Sequence, residues 1–213
     1  RVTWRPEWIS EMPCGPRKYL LMRQYNMLMT LDGVRKSLID FSGKGPTVKF
    51  KKNGVYWLTP GGIEDTKKLI SLTRQVLSGG ACMVQYRQKN LNHLQRRNQA
   101  LRLKEVCAAH KVPFIINDSI ELALTVNADG VHIGKSDSTL KAARDKLGEH
   151  KIIGVSCYND IDRASEMFDN GADYVAFGRF YPSLTKPEAP PCSSEILKVA
   201  QEKFSSAIVA IGG

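Results

Sequence analysis

From residue 54 onward, short apolar runs alternate with longer amphipathic stretches. The apolar runs Gly54–Leu58, Cys82–Tyr86, Phe114–Ile116, Gly130–Ile133, Ile152–Val155, Tyr174–Phe177 and Ile208–Ile211 predict seven strands. Helices are predicted between them. Ile63–Leu77 puts Leu69, Leu72, Val76 and Leu77 on one side, and Leu94–His110 does the same with Leu94, Leu101, Leu103 and Val106. Ile120–Val126, Thr139–Leu147, Ile161–Phe168 and Ser193–Phe204 complete the set. Asp160 and Ser138 read as N-caps, and Gly148 and Gly171 as helix stops.

Parallel strands joined by crossover helices follow from this order. The strands are apolar on both faces, as buried parallel strands are. Polar residues gather at their C-terminal ends, which favours an α/β fold of the (β/α)8 TIM-barrel type over an open doubly wound sheet. No Gly-x-Gly-x-x-Gly follows the first strand, which argues against a dinucleotide fold. Only seven strands are predicted, so the barrel reads as truncated after the seventh. Residues 1–52 fit no βα unit, and a helix is predicted across Arg17–Ile39. They read as an unrelated N-terminal extension to a barrel domain at 53–213. A fragment, or a start at Met27 or Met29, is the alternative.

The chain has 213 residues and a net charge of +10. The basicity is uneven: residues 1–52 carry 11 Lys+Arg against 4 Asp+Glu, and the rest carry 20 against 17. A mildly basic domain suits phosphorylated small molecules, and no nucleic-acid module is visible. Five scattered cysteines without a Cys-x-x-Cys pair argue for thiols in a reducing compartment. No signal peptide or membrane-length apolar run is visible, so a cytoplasmic location is expected, and a homo-oligomer is left open.

The candidate chemistry lies at the strand ends. After the last strand but one, the Phe177–Pro187 stretch presents Ser183, Thr185 and Lys186 within four residues, a set that suits a phosphate. After the second strand come Gln85, Tyr86, Arg87, Gln88 and Lys89. Alternation sends Gln85, Arg87 and Lys89 to one side, where two cations and an amide suit a diphosphate or an ion-pair cluster. Asn117-Asp118-Ser119 ends the third strand, and Asp137 follows the fourth. Two hard carboxylates at one level suit Mg²⁺, although Asp118 or Ser119, and Asp137, could each simply cap the next helix. Ser156 could donate to a phosphate or leaving group. No general base is expected beside it, because His132 lies mid-strand and reads as a core residue. Cys157 reads as buried, and Gly212-Gly213 would allow close backbone approach.

Taken together, these motifs resemble the thiamine-phosphate synthase family. The likeness runs from about Gly54 to Gly213, through Gly54–Pro60, Gln85–Lys89, Phe114–Asp118, Ala128–Gly134, Asp137, Gly154–Ser156, Gly171–Gly178, Tyr181–Pro187 and Ala210–Gly213. It implies a transferase that joins a hydroxymethylpyrimidine diphosphate to a hydroxyethylthiazole phosphate. The C–O bond to diphosphate would break first, and the thiazole nitrogen would capture the pyrimidine-stabilised carbocation. By the match, Gln85, Arg87, Lys89, Asn117, Ser156 and Lys186 would hold the pyrimidine diphosphate, with Tyr86 and Gln88 inside the same motif. Asp118 and Asp137 would bind Mg²⁺. Ser183, Leu184 and Thr185, with the Gly213 backbone, would hold the thiazole phosphate. Ser156 and Lys186 would be the catalytic pair.

Three departures from the family pattern stand out. Ser119 replaces a frequent second Asp, Lys135 a frequent Gln, and Tyr158 a frequent His. The absent eighth strand would also remove a loop that cradles the thiazole phosphate. A thiazole tautomerase-like relative is the nearest rival, but it would need a His where Tyr158 stands and would lack Asp137. A truncated non-catalytic remnant and a nucleic-acid-binding N-terminal arm are the other readings.

Overall fold

The computed structural model describes residues 54–134, 139–181 and 190–212, together with the backbone of Tyr19–Met22. Eight parallel strands close into a barrel in chain order. They are β1 (Tyr19–Met22), β2 (Gly54–Leu58), β3 (Ala81–Tyr86), β4 (Phe114–Asn117), β5 (Gly130–Ile133), β6 (Ile152–Tyr158), β7 (Tyr174–Phe177) and β8 (Ala207–Ile211). Helices α1 (Thr66–Ser78), α2 (His93–Ala109), α3 (Ile120–Thr125), α4 (Leu140–Leu147), α5 (Ile161–Asp169) and α6 (Glu195–Lys203) fill the crossovers from β2 to β8.

The (β/α)8 expectation holds, and the seven strands read from the chain are β2–β8. The open edge expected beyond the seventh is not there. β1 pairs in parallel with β2 (Leu20 opposite Gly54) and with β8 (Tyr19 to Met22 opposite Ile208 to Ile211). This strand lies inside the segment read as a helix across Arg17–Ile39. A four-residue apolar run carries no clear period, and two exposed edges with unpaired N–H and C=O groups decide its state. The remainder of residues 1–53 lies outside the described residues.

Side-chain alternation makes two cores. Tyr56, Leu58, Met83, Ile115, Ile152, Tyr174 and Val209 pack inside the barrel. Trp57, Val84, Phe114, Val131, Ile153, Val175 and Phe177 face the helices, where Leu69, Leu103, Ala143 and Ala164 meet them. Full burial of such side chains is the main stabilising term, about 1.5–3 kcal/mol each. Five helix starts carry side-chain caps. Asp65, Asn92 (a capping box with Gln95), Ser119 and Asp160 each accept a backbone N–H from the first turn. Thr139, not Ser138, caps α4. Gly148 ends that helix as expected, at φ 76°. Asn170 is the cap of α5, with Gly171 directly after it.

One device recurs at the N-terminal ends of the strands. The Ala-Asp dipeptides 128–129 and 172–173 precede β5 and β7. Asp129 accepts the Phe114 N–H at 2.8 Å and pairs with Lys104 at 2.7 Å. Asp173 accepts the Ile153 N–H at 2.7 Å and pairs with Arg144 at 3.0 Å. Each carboxylate thus starts the neighbouring strand and ties it to a helix. Burial raises the Asp173 carboxyl above its usual value, with the Ile153 N–H and Arg144 opposing that shift. This end of the barrel is therefore built for stability.

Removing residues 1–22 should uncover the β2 and β8 edges. Sedimentation velocity should then show larger species than the full chain forms. An unchanged size distribution and melting curve would show that β1 does not close the sheet.

Candidate active site

The C-terminal rim gathers Gln85, Asn117, Asp118 and Ser156 at the ends of β3, β4 and β6. Gln85 is buried, and the other three are half-buried. Two rim residues, Asp118 (φ 65°) and Tyr158 (φ 57°), hold a left-handed backbone that side chains other than glycine seldom adopt. Asp118 is held by its N–H, which donates to the His132 carbonyl at 2.8 Å. Near Tyr158 the register of β6 against β7 shifts, a bulge of the kind that re-aims side chains beside active sites.

Inside the barrel a polar chain links one wall to the other. Gln85 Nε2 donates to the Tyr56 hydroxyl at 2.8 Å. The Tyr56 and Tyr174 hydroxyls are 2.8 Å apart. Tyr174 lies 3.0 Å from His132 Nδ1, and His132 Nε2 lies 2.9 Å from Ser156 Oγ. Burial raises the Tyr56 and Tyr174 pKa values, so both phenols keep their protons. His132 is buried, as expected, at 6% exposure. The expectation that nothing basic stands beside Ser156 is corrected. His132 is opposite Gly154 in the β5–β6 register, so the inward residue two places on, Ser156, comes within its reach.

Gly154 is what lets the rings meet. It is opposite His132 on one side and Tyr174 on the other. A Cβ there would fall 1.8 Å from Tyr174 Cζ. Without it the two rings stack with centroids 5.6 Å apart.

Other expected site residues are placed differently. Tyr86 is not at the mouth. It faces the helices, where its hydroxyl donates to Gln99 Oε1 at 2.9 Å. Gln88 is a loop latch, donating to the Ile63 carbonyl at 3.2 Å and accepting from Asn90 N at 3.2 Å. Alternation governs only the strand, which ends at Tyr86. Beyond it Arg87 is half-buried and Lys89 exposed. The Arg87 backbone is clamped by Thr59, whose buried hydroxyl accepts the Arg87 N–H at 2.9 Å. Thr59 stands in a recognised motif, but its role needed the β2–β3 register to be seen. Gly212 is required by packing, because a Cβ there would lie 2.5 Å from Phe180 N. Asp137, Ser183, Leu184, Thr185, Lys186 and Gly213 lie outside the described residues. Cys157 is inert, its thiol pushed up to about 12 by burial.

The capping alternatives for the two aspartates fall away, since Ser119 caps α3 and Thr139 caps α4. Asp118 is left as a half-buried rim carboxylate between Asn117 and that cap. Among the described residues no three His, Cys, Asp or Glu side chains gather as a metal cage. Magnesium seldom has one, taking one or two carboxylates and completing its shell with phosphate oxygens and water. The donor chemistry therefore fits.

A family model described as thiamine monophosphate synthase matches residues 55–213. The chain belongs to that family. The thiamine-phosphate synthase of Nitrosospira multiformis is 49% identical over 160 residues, covering 75% of this chain and 68% of that protein. The thiamine-phosphate synthase of Nitrosomonas eutropha is 44% identical over 168 residues, 79% of each. Among solved structures, a thiamine phosphate pyrophosphorylase from Pyrococcus furiosus aligns with TM-score 0.65 and 29% identity over 74% of both chains. The matched span of the thiamine monophosphate synthase family includes β3–β8 and nearly all of β2, with every rim residue named above. Among the described residues no helix is long and apolar enough to cross a membrane.

Gly154→Ala should drive a methyl into the Tyr174 ring. The expected loss is about 1–3 kcal/mol of stability, read as a lower denaturant midpoint at unchanged slope.

Proposed function

We propose that this chain is a thiamine-phosphate synthase. It would transfer the pyrimidine methylene group from 4-amino-5-hydroxymethyl-2-methylpyrimidine diphosphate to the nitrogen of hydroxyethylthiazole phosphate, releasing diphosphate. Membership of the family over residues 55–213 carries this reading.

The proposed roles follow from charge development. As the C–O bond to the diphosphate breaks, negative charge grows on the leaving group and positive charge on the pyrimidine methylene. Arg87, Lys89 and Lys186 meet the first charge, and the Ser156 hydroxyl and Asn117 amide orient the departing group. Gln85, buried at the foot of the mouth, presents its amide to the pyrimidine side. Ser183, Leu184 and Thr185, with the Gly213 backbone, receive the thiazole phosphate. No protein nucleophile is required, because the thiazole nitrogen attacks. The filled interior beneath, its polar groups already paired with one another, excludes water, which would otherwise capture the cation.

Asp118 and Asp137 are proposed to hold Mg²⁺. When bound, this ion would neutralise charge on the diphosphate oxygens. Asp118 is kept in place by its N–H bond to the His132 carbonyl and by the helix cap next to it.

Incubating the full chain with both substrates and Mg²⁺ should yield thiamine phosphate and diphosphate in equal amounts. Asp118→Asn combined with Asp137→Asn should cut diphosphate release by at least about 10²-fold, with the fold intact by circular dichroism. Unchanged release would remove the metal assignment. Absence of any product from the wild-type chain would remove the synthase reading.

A further inference from the structure

Ser156 stands where its strand loses regularity. β6 runs level with β7 as far as Ser156 opposite Ala176, but the next pair is Tyr158 opposite Phe177. Two β6 residues advance against one of β7, and Cys157 is the extra one. Tyr158 then takes a left-handed backbone at φ 57°, and Asp160 caps α5 directly afterwards. The regular ladder ends beside Ser156, so the direction of its hydroxyl depends on what holds this turn.

Three consecutive carbonyls of the turn are each taken. The Tyr158 carbonyl accepts the Gly178 N–H at 3.0 Å, from the end of β7. The Cys157 carbonyl accepts the Asp160 N–H at 3.0 Å. The Ser156 carbonyl accepts Arg163 Nε at 3.1 Å. The last bond differs in kind, because its donor is a charged side chain on a helix. A charge-assisted hydrogen bond is roughly twice as strong as a neutral one. Arg163 is itself anchored, since its backbone N–H donates to the cap Asp160 Oδ1 at 2.8 Å. Cys157 faces the helices, and the nearby guanidinium opposes the rise in its thiol pKa that burial causes. On the inner face, His132 Nε2 lies 2.9 Å from Ser156 Oγ. Ser156 is thus held on both sides of the barrel wall, its side chain from the lumen and its main chain from the helical layer.

We propose that Arg163 is a positioning residue for Ser156, fixing the β6 main chain from outside the barrel so that the serine hydroxyl keeps its place at the mouth. The inference rests on Ser156 serving as a donor to the departing diphosphate. Arg163 acts on the transfer without touching either substrate. A hydroxyl that stabilises a leaving anion must stay within hydrogen-bond reach as the charge grows, and a small displacement costs rate. The competing role, in which Arg163 merely pins α5 to the sheet, predicts lower stability with no special tie to Ser156.

Arg163→Met keeps an unbranched stem and removes every donor. In the full chain it should lower kcat about tenfold, with little change in KM for the thiazole phosphate. In a Ser156→Ala background the same change should cost nothing further. An equal loss in both backgrounds would mean that Arg163 only pins the helix, and would overturn the proposal. A second measurement needs no turnover. The Gly178 and Asp160 amides donate into the same turn, and in Arg163→Met they should exchange with deuterium about tenfold faster. The Phe114 and Ile153 amides, held by Asp129 and Asp173 at the other end of the barrel, should keep their wild-type rates. Unchanged exchange at the turn would also overturn the proposal. Should Arg163→Met not fold, Arg163→Lys keeps the charge, moves the donor and serves for the same comparisons. A wild-type chain without transfer activity would sink the synthase reading, while faster exchange in the variant would leave the hold of Arg163 on the turn standing.

Discussion

A barrel interior tolerates a polar group only if that group is matched, and this constraint organises the molecule. Five polar side chains cross the sealed lumen between Gln85 and Ser156, and each link is 3.0 Å or shorter. An unmatched hydroxyl there would cost about 1–3 kcal/mol. The chain can form only because Gly154 carries no side chain between His132 and Tyr174. The lower lumen is apolar, with Met83, Ile115, Ile152 and Val209 filling it. Among the described residues, polarity in the lumen thus lies in one layer, directly under the rim where charged substrates would lie.

The two ends of the barrel divide the work. At the N-terminal end, Asp129 and Asp173 each hold a neighbouring strand's N–H and a helix cation, a closed arrangement with its charges matched. At the C-terminal end, Asp118 and Tyr158 carry left-handed backbone, and helix capping is delegated to Ser119. Strained backbone at one end is stabilised by well-paired charges at the other. A leaving diphosphate requires this asymmetry, because fixed cations and donors act on it only where they are not already neutralised within the protein.

Seven of the eight strands, all six described helices, the Asp160 cap and the Gly148 stop could be read directly from the chain. Local chemistry produces them: apolar β-branched runs, a 3.6-residue apolar period, and Asp, Asn, Ser or Thr ahead of each helix. Family membership was equally legible, since the Gln85–Lys89 and Phe114–Asp118 stretches are contiguous motifs. Tyr19–Met22 escaped because four apolar residues carry no period, and their state depends on edges formed nearly 200 residues further along.

The polar contacts of the lumen and rim were not legible in the same way. His132 looked like an ordinary core histidine, and Tyr86 like a neighbour of Gln85 at the mouth. Which of them touches Ser156, and which touches Gln99, depends on strand register and on the sense of each pleat. Local pattern governs whether a segment is strand or helix, because those hydrogen bonds and apolar stripes repeat over a few residues. Convergence of distant side chains is set by closure of the sheet, where a shift of one residue would send every inward group outward.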